Sequence, residues 1–175
     1  MTGSQSDPRK RATKSSLSKI VKKVWIKASR NVVYRALTDA KELTQWFCDR
    51  ASLNACEGGE FVASWRGEKT GQKGHAVITR IIPGSALEFL WTDDGRDPQE
   101  RNSDHTLAYE IRSKSGMTEL VMTDKDEFSD SEEIALFDQG WNLVLLELKD
   151  YCERKERSAK LHPNSGAGAR NADPE

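Results

Sequence analysis

The apolar positions of this chain change period along its length. Val24, Ile26 and Ala28 alternate with Trp25 and Lys27, the two-residue repeat of a half-buried strand. Ser29 then offers a helix N-cap. Val32, Val33, Ala36, Leu37 and Ala40 follow at steps of three and four, which predicts a short helix over 30–39. A second short helix or turn is expected over 41–47. From there to Asp126 the pattern is that of strands and turns. Phe61, Ala63 and Trp65 alternate after a Gly58-Gly59 turn, and 68–71 reads as a polar hairpin turn. A β-rich run over 74–82 stops at Pro83-Gly84. Leu87, Phe89 and Trp91 alternate next. The stretch 92–102 contains no Val, Ile, Leu, Met or aromatic residue and reads as an exposed loop. Leu107, Tyr109 and Ile111 form another alternating set, and Ser115-Gly116 turns the chain into a strand over 118–123.

The last element has the clearest helical period. Ile134, Phe137, Trp141, Val144, Leu145, Leu148 and Cys152 recur at steps of three and four and predict a helix over 131–156. Glu132 and Glu133 suit the positive end of its dipole, and Arg154, Lys155 and Arg157 the negative end. Strands joined by short turns make an antiparallel meander. The expected fold class is therefore α+β: a curved antiparallel sheet of about six to seven strands wraps the long C-terminal helix, with two short helices after the first strand. If that helix stripe is packed, Trp141→Ala costs about 3–5 kcal/mol.

Composition sets the frame. The chain has 175 residues, 36% hydrophobic and 31% charged, with a formal net charge of -1. That charge gives no footprint for nucleic acid. The longest apolar runs, such as Leu143 to Leu146, are too short for membrane insertion. Residues 1–18 and 158–175 are polar and read as disordered tails around one domain over 19–157. The Arg9-Lys10-Arg11 cluster reads as part of a solvated tail. The N-terminus lacks an apolar secretory segment, so the expected compartment is the cytoplasm. An odd count of three cysteines, Cys48, Cys56 and Cys152, argues against a disulfide framework.

Candidate chemistry is sparse. No HExxH, paired CxxC, P-loop or Gly-x-Ser-x-Gly pattern is present. His75 and His105 fall on predicted strands, where either could point into a cavity as a general base but a surface or hydrogen-bonded histidine is the plainer reading, and His162 falls in the tail. No spacing suggests convergent zinc ligands, and no cofactor is expected. Asp93, Asp94 and Asp97 are interleaved with Arg96 and Arg101 and read as a solvated loop rather than a calcium site.

A resemblance is carried by an ordered set of pieces. Val33-Tyr34-Arg35-Ala36-Leu37-Thr38-Asp39 with Leu43 and Trp46, Gly58-Gly59-Glu60-Phe61, Pro83 with Leu87, Phe89 and Trp91, and Gly140-Trp141 with Leu145 and Leu148 occur in order over 19–153. Together they resemble the domains related to the activator of heat-shock protein 90 ATPase (AHSA-type), in the START-like (SRPBCC) superfamily. The resemblance implies a helix-grip fold, Bet v 1-like, with a cavity between sheet and C-terminal helix. That superfamily includes lipid carriers, hormone receptors, polyketide cyclases and a co-chaperone domain. The eukaryotic co-chaperone has an additional N-terminal domain, for which this sequence is expected to leave no room.

Three expectations follow. The first is binding of a small apolar or aromatic ligand in a cavity lined by Trp46, Phe61, Trp65, Phe89, Trp91, Tyr109, Trp141 and Leu145. Arg66, His75, Arg80 and Tyr109 are the polar anchors to consider. The second is a protein-interaction module whose partner is a chaperone or another protein. The third is a cyclase- or hydrolase-type enzyme using His75 or Tyr109 in the same cavity. Strand parity leaves open which of these side chains point inward, and the oligomeric state, monomer or dimer, stays open as well. An enclosed space above about 300 Å³ favours the first. A histidine and an acid in hydrogen-bond reach inside it favour the third, and a filled cavity with an exposed apolar patch the second.

Overall fold

A computed structural model of the chain describes residues 16–66, 72–93, 105–128 and 130–161. The expected tails beyond 16 and 161, the polar turn at 68–71, the acidic loop from Asp94 to Asn102 and His162 lie outside them.

Seven strands form one antiparallel sheet: β1 Ser16–Ile26, β2 Arg50–Leu53, β3 Glu60–Trp65, β4 Gln72–Ile82, β5 Ala86–Asp93, β6 His105–Lys114 and β7 Met117–Phe128. Their spatial order is β1-β7-β6-β5-β4-β3-β2. Strands β2 to β7 are thus a meander, and the first strand closes the far edge against the last, with Ser16 opposite Phe128 and Ile26 opposite Thr118. Helices α1 (Arg30–Thr38) and α2 (Ala40–Leu43) carry the chain from one edge strand to the other, and α3 (Ser131–Leu161) ends it.

Local chemistry explains the boundaries. Ser29 caps α1 by accepting from the Val32 amide at 3.4 Å. Asp39 caps α2, accepting from Lys41 and Glu42 at 2.8 and 3.3 Å. Asp130 caps α3, accepting from Glu132 and Glu133 at 2.9 Å each. The β6–β7 turn has positive φ at both Ser115 (52°) and Gly116 (75°), as a two-residue hairpin of right-handed twist requires. Two features exceed the sequence pattern. Strand β1 begins at Ser16, because its first residues, Ser16–Lys19, pair with β7 although they carry no apolar repeat. Helix α3 runs five residues past Glu156, to Leu161.

One face of the sheet is the core face. It presents Phe61 and Ala63 from β3, Ala76 and Ile78 from β4, and Leu87, Phe89 and Trp91 from β5. Leu107, Tyr109 and Ile111 from β6 and Leu120 and Met122 from β7 complete it, all buried. Helices α1 and α2 lie against this face with Val33, Ala36, Leu37 and Leu43 buried. The buried residues of α3, Leu145, Leu148, Tyr151 and Cys152, fall in its middle and C-terminal part, which packs on β1, β7 and α1.

A polar clamp fixes α2 to α3. The buried Glu42 carboxylate accepts from the Tyr151 hydroxyl, from Lys155 Nζ at 3.0 Å and from Arg35 Nη2 at 3.5 Å. Burial alone raises a carboxyl's pKa, but these donors outweigh it and hold Glu42 below the usual range. Glu153 is held low by Lys149 and the Lys27 amide, and Glu156 by the Ser29 amide. Each carboxylate therefore stabilises the fold above its unfolded pKa of about 4.3, and that contribution disappears as pH falls through the lower folded value. A thermal melt series should show stability falling below about pH 4. Glu42→Gln should cost about 1–3 kcal/mol at pH 7, and its difference from the unaltered protein should shrink in acid. A constant difference across that pH range would mean that Glu42 is not held as its contacts indicate.

Candidate functional site

The concave side of the sheet is almost filled. A small pocket of about 20 Å³ lies between α1–α2 and the sheet, lined by Leu37, Leu43, Trp46, Phe47, Phe61, Phe89, Trp91, Leu107 and Tyr109. That is room for about one water molecule. Leu37 and Leu43 close it, so the helices that cover it are α1 and α2 and not α3. The rings inside touch: Phe61 lies 5.3 Å from Phe89 and 5.7 Å from Trp91.

A second, larger space lies outside this one. Phe47, Leu136, Phe137, Gly140, Trp141 and Val144 line an open groove of about 410 Å³ along the N-terminal half of α3. Phe47 lines both spaces and is the partition between them. It is held by its neighbours: its ring is 5.3 Å from Trp46 and 5.3 Å from Trp65, the latter edge-on at 81°. Trp65 Nε1 donates to the Phe47 carbonyl at 2.7 Å, and Trp46 Nε1 donates to the Ala36 carbonyl at 3.0 Å.

Between groove and cavity sits a buried polar network. Asp124 on β7 is 0% exposed. Its Oδ1 lies 2.7 Å from His105 Nε2, and its Oδ2 accepts from Trp141 Nε1 at 2.5 Å. A carboxylate only accepts, which places a proton on Nε2 of the imidazole. His105 also stacks on Trp91, with centroids 6.1 Å apart and planes 18° from parallel. Tyr109 is buried nearby, and burial first, then the Asp124 charge, pushes its hydroxyl above the ordinary phenol range. Trp91 Nε1 is buried without a hydrogen-bond partner among the described residues.

The residues singled out from sequence are therefore divided. Trp46, Phe61, Phe89, Trp91 and Tyr109 line the small pocket. Trp141 lines the groove instead. Trp65 packs behind Phe47, and Leu145 is buried in the core and lines neither space. His75 lies on the outer face, because Gly74 and Ala76 on either side take the inward positions. Its Nδ1 is 2.6 Å from Thr92 Oγ1, and its ring does not reach the cavity. Arg66 and Arg80 are exposed and line neither space. Phe47, Phe137 and Asp124 were missed as site residues, and His105 was weighed without its Asp124 partner. Phe47 follows a helix with no period to place it. Asp124 has a detectable signal, an acid at an inward-parity position of a strand whose neighbours Leu120 and Met122 are apolar. Among the described residues no three His, Cys, Asp or Glu side chains converge as a metal site. Burial pushes the Cys152 thiol up to about 12, so that buried thiol is unreactive. No described helix is long and apolar enough to cross a membrane.

Comparison with known proteins agrees with this architecture. A search of curated sequences finds no match. Among solved structures, the solution structure of the Aha1 dimer from Colwellia psychrerythraea is 23% identical, with a TM-score of 0.64 over 78% of this chain and 96% of that one. An AHSA1-like protein from Aeromonas hydrophila is 17% identical, with a TM-score of 0.64 over 88% of this chain and 100% of that one. CalU16 from Micromonospora echinospora is 16% identical, with a TM-score of 0.59 over 85% and 91%. The family model described as activator of Hsp90 ATPase homolog 1-like protein matches residues 27–153. With the seven-stranded sheet and its long final helix, that match makes this chain a member of the activator of Hsp90 ATPase homolog 1-like family, within the START-like (SRPBCC) superfamily.

Proposed function

We propose that this chain binds a small, mostly apolar molecule in the groove between α3 and Phe47, its inner end reaching past Phe47 toward Trp91. The observation that carries this reading is the groove itself: about 410 Å³, lined by apolar side chains and separated from an aromatic cavity by one ring. Its size lies within the range of small-molecule sites. The pocket behind Phe47, at about 20 Å³, falls far short of an enclosed ligand site, so this reading rests on the open groove, with rotation of Phe47 joining the two spaces. The buried Trp91 indole N–H supports a ligand with one hydrogen-bond acceptor, such as a ketone or phenol. Leaving such a donor unpaired costs about 1–3 kcal/mol, which an acceptor recovers. The reading needs no cofactor.

The test is native mass spectrometry on protein from its own host, followed by titration with 1-naphthol and a medium-chain fatty acid while Trp fluorescence is recorded. A retained small molecule, or saturable binding that Val144→Glu weakens by at least about tenfold (1.4 kcal/mol), is expected. No retained mass and no saturable signal from any probe would sink the proposal.

A second reading rests on His105 and Asp124. A carboxylate that orients an imidazole beside an aromatic cavity is the arrangement of a general acid–base pair. The enzyme alternative thus moves from His75 to His105. It predicts that His105→Gln abolishes turnover of a bound ligand while leaving its affinity unchanged.

A further inference from the structure

A third space in the molecule gathers cations that the fold does not use. Arg30, Arg80 and Arg112 line an open cleft of about 500 Å³ together with Ile82, Ser85 and Glu110. It shares no residue with the groove or with the pocket behind Phe47. Each arginine is placed there by a local feature. A β-bulge in β4 puts Ile78 opposite Phe89 and Arg80 opposite Glu88, so Thr79 is the extra residue. Thr79 and Arg80 are therefore both exposed, while Ile78 and Ile81 face the core. Without the bulge, Arg80, two residues after Ile78, would take a core position. Arg30, the first residue of α1, lies against the β4–β5 turn: a Cβ at Gly84, where φ is +68°, would sit 3.6 Å from Arg30 Nε. Ala86, paired with Ile82 on one side and Glu110 on the other, is the small buried floor.

The charges of this cleft do not cancel. Its single carboxylate, Glu110, accepts from Arg112 Nη2. Glu88, the register partner of Arg80, accepts from Thr79 Oγ1 at 2.9 Å instead and does not line the cleft. Arg30 and Arg80 have no carboxylate within ion-pair distance among the described residues. We infer that the cleft binds the phosphate monoester of a small organic molecule, with the guanidinium groups of Arg30 and Arg80 on its oxygens. A guanidinium fork matches phosphate oxygens in spacing and direction. Two unpartnered cations suit a group that carries a charge of about −1.5 to −2 at pH 7 better than they suit a singly charged carboxylate. The hydroxyls of Ser85 and Ser113 are further donors at the same cleft. Ile82, 43% exposed there, gives the organic part an apolar surface. The volume lies within the range of small-molecule sites. Because no lining residue is shared with the groove, this inference stands or falls separately from the proposed function.

The test is a titration of the isotope-labelled full chain with phenyl phosphate, read by NMR at the backbone amides. Saturable shifts are expected at Ser85, Ile111 and Ser113. Inorganic phosphate should bind more weakly, and phenol should leave these amides in place. Arg30→Gln and Arg80→Gln should each weaken binding at least about fivefold, with the melting temperature unchanged, since both side chains are exposed. Arg50→Gln makes the same change in net charge on the far edge strand β2 and should have no effect. Glu110→Gln should tighten binding, because it removes the opposing charge and releases Arg112. No saturable shift at these amides would overturn the inference. So would an equal loss from Arg50→Gln, which would reduce the effect to net charge, or shifts centred on Phe47 and Val144, which would move the ligand to the groove. Binding to vesicles containing phosphatidic acid with none to phenyl phosphate would overturn it as well, since the anion would then belong to a membrane surface and not to a soluble molecule.

Discussion

Asp124→Ala is expected to destabilise the protein by about 3–5 kcal/mol. The carboxylate is fully buried and holds two partners from different layers: His105 on the neighbouring strand β6 and Trp141 on α3. Removing it strands the buried His105 N–H, at about 1–3 kcal/mol, and the half-buried Trp141 N–H at less, and leaves a void. Asp124→Asn keeps one acceptor oxygen and the volume, so it should cost less than the alanine variant. Chemical denaturation of both variants checks this. A loss below about 1 kcal/mol for Asp124→Ala would mean that the network does not hold α3 to the sheet.

The second large effect is Leu148→Ala, expected to cost about 2–5 kcal/mol. Leu148 is 0% exposed, on the part of α3 that packs over β1, β7 and α1. Its paired control is Leu146→Ala, two positions earlier on the exposed face, which should stay within about 0.5 kcal/mol. Equal losses at the two positions would show that the helix is not seated as described. Trp141 now belongs between these extremes. Full burial of its ring underlay the expectation of about 3–5 kcal/mol, but the ring lines an open groove and is only half-buried. A cost of about 2–3 kcal/mol, much of it the lost bond to Asp124, is the revised figure.

Much of the architecture was legible in the sequence because it is written in periods. The two-residue repeat of Leu87, Phe89 and Trp91 and the three-and-four spacing from Ile134 to Cys152 each report a local geometry that the backbone imposes on its side chains. Ser29 and the Ser115-Gly116 pair were legible for the same reason, since caps and tight turns select residues by local chemistry. Strand β2 was not. Its four residues sit at an edge with alternate positions only half-buried, so no apolar repeat marks them.

What the sequence determined by itself is therefore the class of fold, the family, and the aromatic rings that would meet. What the tertiary structure decided is where space remains. Whether the concave face is filled depends on how far α1 and α2 descend onto it, and Leu37 and Leu43 descend far enough to leave about 20 Å³. Which histidine is inward depends on strand register, and that puts His105 beside Asp124 and His75 outside. Which face of α3 stays in water depends on the seat that β1, β7 and α1 give it. Those are sums of contacts between residues far apart in the chain, and no local period encodes them.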